Sequence, residues 1–248
     1  MSARILALET STLSCSVALF DGDACEHFEQ RCEEQHVHAS NLLPMIDAAL
    51  KAAGWQASDL SALAVCAGPG SYTGLRIGTS TAKGICHAQG IPLIAINSLE
   101  IQAYYAVANG PLEAGATVIA VMDARRDEVY TQTFRWSGER FDALDETRAL
   151  VIESQAGVDA LFPDATDDAI VVGESAYTSM RAKGHSVDSI VEGVHRVAVP
   201  ATFGVLTTIA LDQRQCEVKL VHTPVQITDC VDRVGHLVPL GHLRLLHF

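Results

Sequence analysis

The stretch Gly68-Pro69-Gly70-Ser71-Tyr72-Thr73-Gly74-Leu75-Arg76-Ile77-Gly78 constrains the fold of this chain most. It follows an apolar run, Leu63-Ala64-Val65-Cys66-Ala67, that reads as a buried strand. It leads into residues 79–89, which read as a helix. Strand, glycine turn and helix form the layout in which backbone N–H groups and a helix N-terminus hold an anion. Gly68 and Gly70 supply backbone freedom, and Pro69 stiffens the turn between them. No Gly-Lys-Ser/Thr closes the loop and the G-x-G-x-x-G spacing is absent, which excludes a P-loop and a dinucleotide fingerprint. Two readings stand side by side: an anion or nucleotide loop built from Gly68, Gly70, Ser71, Thr73 and Arg76, or a tight turn whose glycines serve helix packing. The loop contains no lysine and Arg76 is its nearest cation. The expectation is therefore weak, millimolar-class nucleotide binding and no tightly bound cofactor.

Composition narrows the function classes. With 248 residues the chain is long enough for one large domain or two small ones. No apolar run approaches membrane-spanning length, so no membrane partner is expected. Met1 to Glu9 lacks the basic start and long apolar centre of a signal peptide, and a cytoplasmic protein is expected. The seven cysteines are odd in number, dispersed and without C-x-x-C, which fits reduced thiols better than disulfides or a zinc site. A net charge of −13 argues against autonomous binding to a nucleic-acid backbone.

The order of predicted elements repeats. Ile5-Leu6-Ala7-Leu8 is an apolar strand ending at Glu9, and Cys15-Ser16-Val17-Ala18-Leu19-Phe20 is the next strand, followed by the hairpin signal Asp21-Gly22. A helix over residues 37–53 ends at Gly54. After the glycine loop and its helix come a strand over 91–96 and a helix over 99–108 capped by Asn97-Ser98. Asn109-Gly110-Pro111 breaks that helix. Val118-Ile119-Ala120-Val121-Met122-Asp123 then restarts the pattern with an apolar strand ending in a carboxylate. Residues 128–134 alternate strictly, residues 169–173 read as a buried strand, and 153–161, 175–183 and 201–213 read as helices. The expected organisation is an N-terminal lobe (1–110), a C-terminal lobe (111–215) and a divergent tail (216–248). The fold class is α/β, with two ribonuclease-H-like lobes of the actin/sugar-kinase superfold.

Three stretches carry a family resemblance: Ile5-Leu6-Ala7-Leu8-Glu9-Thr10-Ser11, the glycine loop through Gly78, and Asp123-Ala124-Arg125-Arg126-Asp127-Glu128-Val129-Tyr130. In order and spacing they resemble the TsaB (YeaZ-like) family, a bacterial factor needed to make threonylcarbamoyladenosine in tRNA. The resemblance implies a non-catalytic scaffold and activator of TsaD, the related enzyme that transfers threonylcarbamoyl to N6 of adenosine 37 in tRNAs reading codons that begin with A. It implies the ATPase TsaE as a third subunit, tRNA contact only through the complex, and a homodimer when TsaD is absent. TsaD holds its metal through an H-x-x-x-H pair; the matching positions here are Ser98 and Gln102. Neither suits a site built for nitrogen donors, so no metal and no catalytic residue are expected. At its end the chain departs from the family, because Pro224-Val225-Gln226-Ile227-Thr228 keeps only the proline and aliphatic residues of the Pro-x-Tyr-aliphatic-Arg signature.

Other chemistry-bearing residues have plainer readings. His36 and His38 are two apart and share no helix face, which favours a solvated or capping pair over a metal site. Glu9 and Asp123 either pair across a cleft or each order their own strand-to-turn junction, and the second reading is the simpler. Ser71 and Thr73 have no base at useful spacing and suit helix capping. Arg125 and Arg126 either bind anions or pair with Asp127 and Glu128. The alternative functions are a small-molecule phosphotransferase of the same superfold and a glycopeptidase-like hydrolase. The first lacks a second glycine loop at 123–128, and the second lacks H-E-x-x-H.

The helices point to partners. Leu42, Leu43, Ile46, Ala49, Leu50 and Ala53 make one face of the helix over 37–53, and Met45, Ala48 and Ala52 widen it beyond what a surface helix needs. Gly74, Gly78 and Ala82 form a row of small residues on the next helix, at a propensity cost of about 1 kcal/mol per glycine that close packing must offset. Leu42, Met45, Ile46, Ala49, Gly74, Gly78 and Ala82 are therefore the expected partner-binding residues, and the family's helical bundle with TsaD involves the same two helices.

Overall fold

The computed structural model describes residues 3–21, 27–32, 38–108, 112–126, 128–151, 170–173, 195–197 and 244–246. The chain separates into two compact units. One comprises Met1–Ser98 and takes in the strand Arg244–Leu246; the other is Leu99–Ala201. The helix over 98–108 falls almost wholly in the second unit, so the division lies at Ser98–Leu99 rather than near residue 110. The helices expected at 153–161, 175–183 and 201–213, and most of the tail, lie outside the described residues.

The first unit is built on β1 (Arg4–Glu9), β2 (Cys15–Asp21), β3 (His27–Cys32), α1 (His38–Ala53), β4 (Ala62–Gly68), α2 (Tyr72–Gln89) and β5 (Leu93–Asn97). The strand order is β3-β2-β1-β4-β5, with Arg244–Leu246, the last strand of the chain, antiparallel outside β5. β1, β2 and β3 run antiparallel, with Leu6 opposite Leu19 and Val17 opposite Gln30. β4 and β5 run parallel to β1. Successive residues of β1 and β4 are buried on both faces, which explains why they read as continuous apolar runs instead of alternating. On one face, Leu6, Leu8, Val17, Leu19, Leu63 and Val65 pack against Leu42, Met45, Ile46 and Ala49 of α1 and against Ala82 and Cys86 of α2. α1 continues through Pro44, and ends where Gly54 takes a left-handed φ of 68° and Trp55 N–H donates to the Leu50 carbonyl at 2.8 Å. α2 ends the same way, at Gly90 with φ 66°.

The second unit repeats the plan. Its elements are α3 (Ser98–Ala108), β6 (Thr117–Arg125), β7 (Glu128–Trp136), β8 (Phe141–Ala143), β9 (Arg148–Val151), β10 (Ile170–Val172) and β11 (His195–Val197). The strand order β8-β7-β6-β10-β11 is that of the first sheet, with antiparallel β6, β7 and β8 and with β10 and β11 parallel to β6. β8 covers the end of β7 and β9 its beginning, so two short strands do the work of β3. The duplication read from pattern is thus present in the backbone. The core here is aromatic. Tyr104 stands edge-on to Phe141 at 4.8 Å and to Trp136 at 6.0 Å, and its hydroxyl accepts the Phe141 N–H at 3.3 Å. Burial pushes the Tyr104 phenol up, so it stays a neutral hydroxyl at any working pH.

Tyr104→Phe keeps the ring and leaves the buried Phe141 N–H without its acceptor. It should lower stability by about 1–2 kcal/mol in urea denaturation, whereas Tyr104→Ala should cost about 3–5 kcal/mol. A Tyr104→Phe variant as stable as the wild type would remove the hydroxyl from the account.

Candidate functional site

The two sheets end their first strands in the same device. Glu9 closes β1 with no exposed surface, and its Oε1 accepts the Ser11 N–H at 2.5 Å. Burial pushes its carboxyl above the ordinary carboxylate value, against hydrogen bonds from Ser11, Cys66 and the Thr10 backbone. Cys66 and Ser98, both buried, meet at 2.9 Å beside it, and burial pushes the Cys66 thiol up as well. In the second unit Asp123 sits near the end of β6, and its Oδ1 accepts the Arg125 N–H at 2.7 Å. Each carboxylate therefore orders its own strand-to-turn junction, as the simpler reading has it.

The glycine loop lies directly on the β1 junction. Gly70 is so close to Ser11 that a side chain there would strike the Ser11 carbonyl. Ser71 N–H donates to that same carbonyl oxygen at 2.7 Å. Ser71 is the N-cap of α2: its Oγ accepts the Gly74 N–H at 3.3 Å. Gly68, with φ 106°, turns the chain out of β4. Gly70 and Ser71 lie in the turn between Gly68, the end of β4, and α2, whose first two turns carry Thr73 and Arg76. Thr73 and Arg76 are exposed, and the Arg76 guanidinium lies 5.5 Å from the centre of the Tyr72 ring. Capping is the role found for Ser71. The contacts described for Gly70 and Ser71 are those of a packing turn.

The expected partner-binding residues are occupied within the unit. Leu42, Met45, Ile46 and Ala49 turn toward the sheet and are buried there. A Cβ at Gly74 would run into the Thr10 carbonyl oxygen, and one at Gly78 into the Thr10 hydroxyl; Ala82 is fully buried on the same row. The glycine row thus brings α2 against the end of β1. Periodicity finds the apolar stripe but does not say which of two apolar faces meets the sheet. The opposite face of α1 carries Leu43 at 59% exposure, with Pro44, Ala48 and Ala52, and Tyr72 at the start of α2 is 74% exposed.

Sequence reasoning missed Thr10 as a structural residue and read His38 only as a solvated or capping one. His38 opens α1 nearly buried, with Nε2 3.1 Å from the Thr12 carbonyl oxygen. Its partner His36 lies outside the described residues. Among the described residues no group of three His, Cys, Asp or Glu side chains has metal-binding geometry. Ser98 and Gln102 are buried at the start of α3. Arg125 and Arg126 are exposed, both at left-handed φ (65° and 53°), and neither has an ion-pair partner among the described residues.

Residues 33–187, well over half of the chain, match the family model "TsaD: tRNA N6-adenosine threonylcarbamoyltransferase". The tRNA threonylcarbamoyladenosine biosynthesis protein TsaB of Escherichia coli (strain K12) is 39% identical over 149 residues, 57% of this chain and 62% of that protein. TsaB of Bacillus subtilis (strain 168) is 35% identical over 134 residues, 53% of this chain and 55% of that protein. The matched stretch is thus less than two thirds of these relatives' length. Among solved structures, YeaZ from Pseudomonas aeruginosa matches with a TM-score of 0.60 at 31% identity, over 73% of this chain and 79% of that one. A second Pseudomonas aeruginosa structure, described as similar to peptidase YEAZ, covers 97% of this chain and 96% of its own at TM-score 0.64 and 23% identity, a likeness of fold alone.

Two measurements test the junction. A native carboxyl pKa above its ordinary value of 4.5 means that the Glu9 contribution is complete below that pH and is lost as pH rises through the elevated value. Stability of the wild type should therefore fall with rising pH above about 5, and Glu9→Gln, which mimics the protonated acid, should flatten that slope. Parallel slopes in a pH series of urea melts would contradict this. Gly74→Ala should cost about 1–3 kcal/mol by overpacking against Thr10. Gly84→Ala, in open space on the same helix, should stabilise by about 0.5–1 kcal/mol.

Proposed function

The chain belongs to the TsaB/YeaZ family, and from that membership we propose that it is a non-catalytic subunit of tRNA threonylcarbamoyladenosine biosynthesis. In this reading it holds and activates TsaD, which transfers threonylcarbamoyl to N6 of adenosine 37 in tRNAs that read codons beginning with A. TsaE completes the assembly, and tRNA is met only through it. The observation that carries the reading is the closed junction at the end of β1. Glu9 is buried and bonded to its own turn, the Ser71 amide is bonded to Ser11, and Gly74 abuts Thr10. Glu9 Oε1 and the Ser71 amide are bonded within the junction. Glu9 Oε2, Thr10 Oγ1 and Ser11 Oγ, which have no hydrogen-bond partner among the described residues, are buried away from any substrate, which suits a scaffold better than a catalyst. The loop's remaining donors support weak nucleotide binding at most, in the millimolar range for the isolated chain.

The partner surface in this proposal is the outward face of α1 and α2. The two helices pack side by side over one face of the sheet, and Leu43 and Tyr72 are large, exposed side chains on them. TsaD takes this face; a second copy of the chain takes it when TsaD is absent. Large exposed apolar groups set on a rigid pair of helices suit such an interface.

Leu43→Glu should abolish co-elution with TsaD in size-exclusion chromatography while leaving the urea midpoint within about 0.5 kcal/mol of wild type. Leu42→Ala, one residue away on the buried face, should cost about 2–5 kcal/mol of stability. Unchanged association of the Leu43 variant would remove this face from the proposal.

A further inference from the structure

Cys15 and Cys32 are directly opposed in the antiparallel pairing of β2 with β3. Residues so paired have Cα atoms about 4.5–5.5 Å apart. That falls inside the span of about 4.4–6.8 Å that a disulfide bridges. Directly opposed residues also point to the same face of a sheet. Here that is the face under α1: Cys15 is part of the core there and Cys32 packs against it. Both are free thiols. Cys15 lies next to Ser16, the strand partner of Glu9, and Glu9 helps to push its thiol up.

We propose that Cys15 and Cys32 are a covalent modification site, a thiol pair that closes to a cross-strand disulfide when the protein meets a peroxide. Cys32 is half-buried at the end of β3, whereas Cys15 has no exposed surface, so the oxidant reaches Cys32 first. The Cys32 thiolate attacks one peroxide oxygen, the O–O bond breaks, and after protonation a sulfenic acid and water result. Cys15 sulfur then attacks the Cys32 sulfur and expels the hydroxyl as a second water. The balance is two thiols and one hydrogen peroxide giving one disulfide and two waters. Burial, with Cys32 and Glu9 beside it, pushes the Cys15 thiol up to about 11, which keeps Cys15 from reacting with the oxidant first; its place directly opposite Cys32 makes it the resolving partner. The bridge would form beneath the first turn of α1, where Asn41 Nδ2 now donates to Cys32 Sγ at 3.5 Å. Oxidation therefore replaces a soft contact that holds α1 to the edge strand.

The test is independent of any partner. The full chain, purified reduced and freed of reductant, is treated with hydrogen peroxide, alkylated, digested and mapped by mass spectrometry. The expected product joins the Cys15 and Cys32 peptides, opens with dithiothreitol, and melts at a higher temperature than the reduced protein. Cys15→Ala should stop the reaction at a Cys32 sulfenic acid that dimedone traps. Cys32→Ser should leave Cys15 fully alkylatable once the protein is denatured. Bridges from either residue to Cys25, Cys216 or Cys230 in place of the pair would overturn the proposal. So would a wild type in which Cys32 proceeds to sulfinic acid while Cys15 remains a free thiol.

Discussion

The close approach of α2 to Thr10 and Ser11 sets the geometry of the first unit. A helix with side chains at positions 74 and 78 could not reach the end of β1, because Thr10 already occupies the space that a Cβ would fill. With glycine there, the helix backbone meets the Thr10 carbonyl at position 74 and the Thr10 hydroxyl at position 78, and Ser71 ties the two by accepting within α2 and donating to Ser11. Helix propensity is sacrificed at two positions, by about 1 kcal/mol each, and close packing offsets the loss. The same contact fixes where the glycine loop sits. A motif that resembles an anion cradle in sequence thereby becomes the clasp between a sheet and its helix.

The repeated plan makes the comparison between the units informative. Both sheets place an antiparallel three-strand ribbon before two parallel strands, and both let a carboxylate at the end of the first strand accept an N–H two residues on. The surroundings differ. Glu9 is fully buried under the loop, whereas Asp123 is exposed. The first junction is also covered by a helix brought in by glycines, whereas the second turns through two arginines at left-handed φ. One architecture thus carries a sealed end and an open, charged one.

Much of this was legible in the residues. β1, β2 and β4 are apolar runs of strand length, α1 and α2 end at glycines that take left-handed φ, and β6 and β7 carry the restart. β3 was not legible, because His27-Phe28-Glu29-Gln30-Arg31-Cys32 lies at the sheet's edge and owes its conformation to pairing with β2. β8 and β9 are too short to carry a period. The candidate site was half legible. The carboxylate junctions and the Ser71 cap follow from local chemistry. The facing of α1 and the role of Gly74 and Gly78 depend on which surface the sheet offers, and a helical period does not contain that information. The pattern boundary near residue 110 likewise groups Tyr104 with the first lobe, whereas its ring and hydroxyl bind α3 to the second sheet.

On the proposed function, this chain activates TsaD and does not itself transfer the threonylcarbamoyl group. The most direct measurement is the rate at which adenosine 37 of a substrate tRNA gains threonylcarbamoyl from threonylcarbamoyl-adenylate, with purified TsaD alone, with this chain alone, and with both. The expected result is no turnover by this chain alone and a rate with both that exceeds that of TsaD alone. Modification by this chain without TsaD, or a TsaD rate indifferent to its presence, would contradict it.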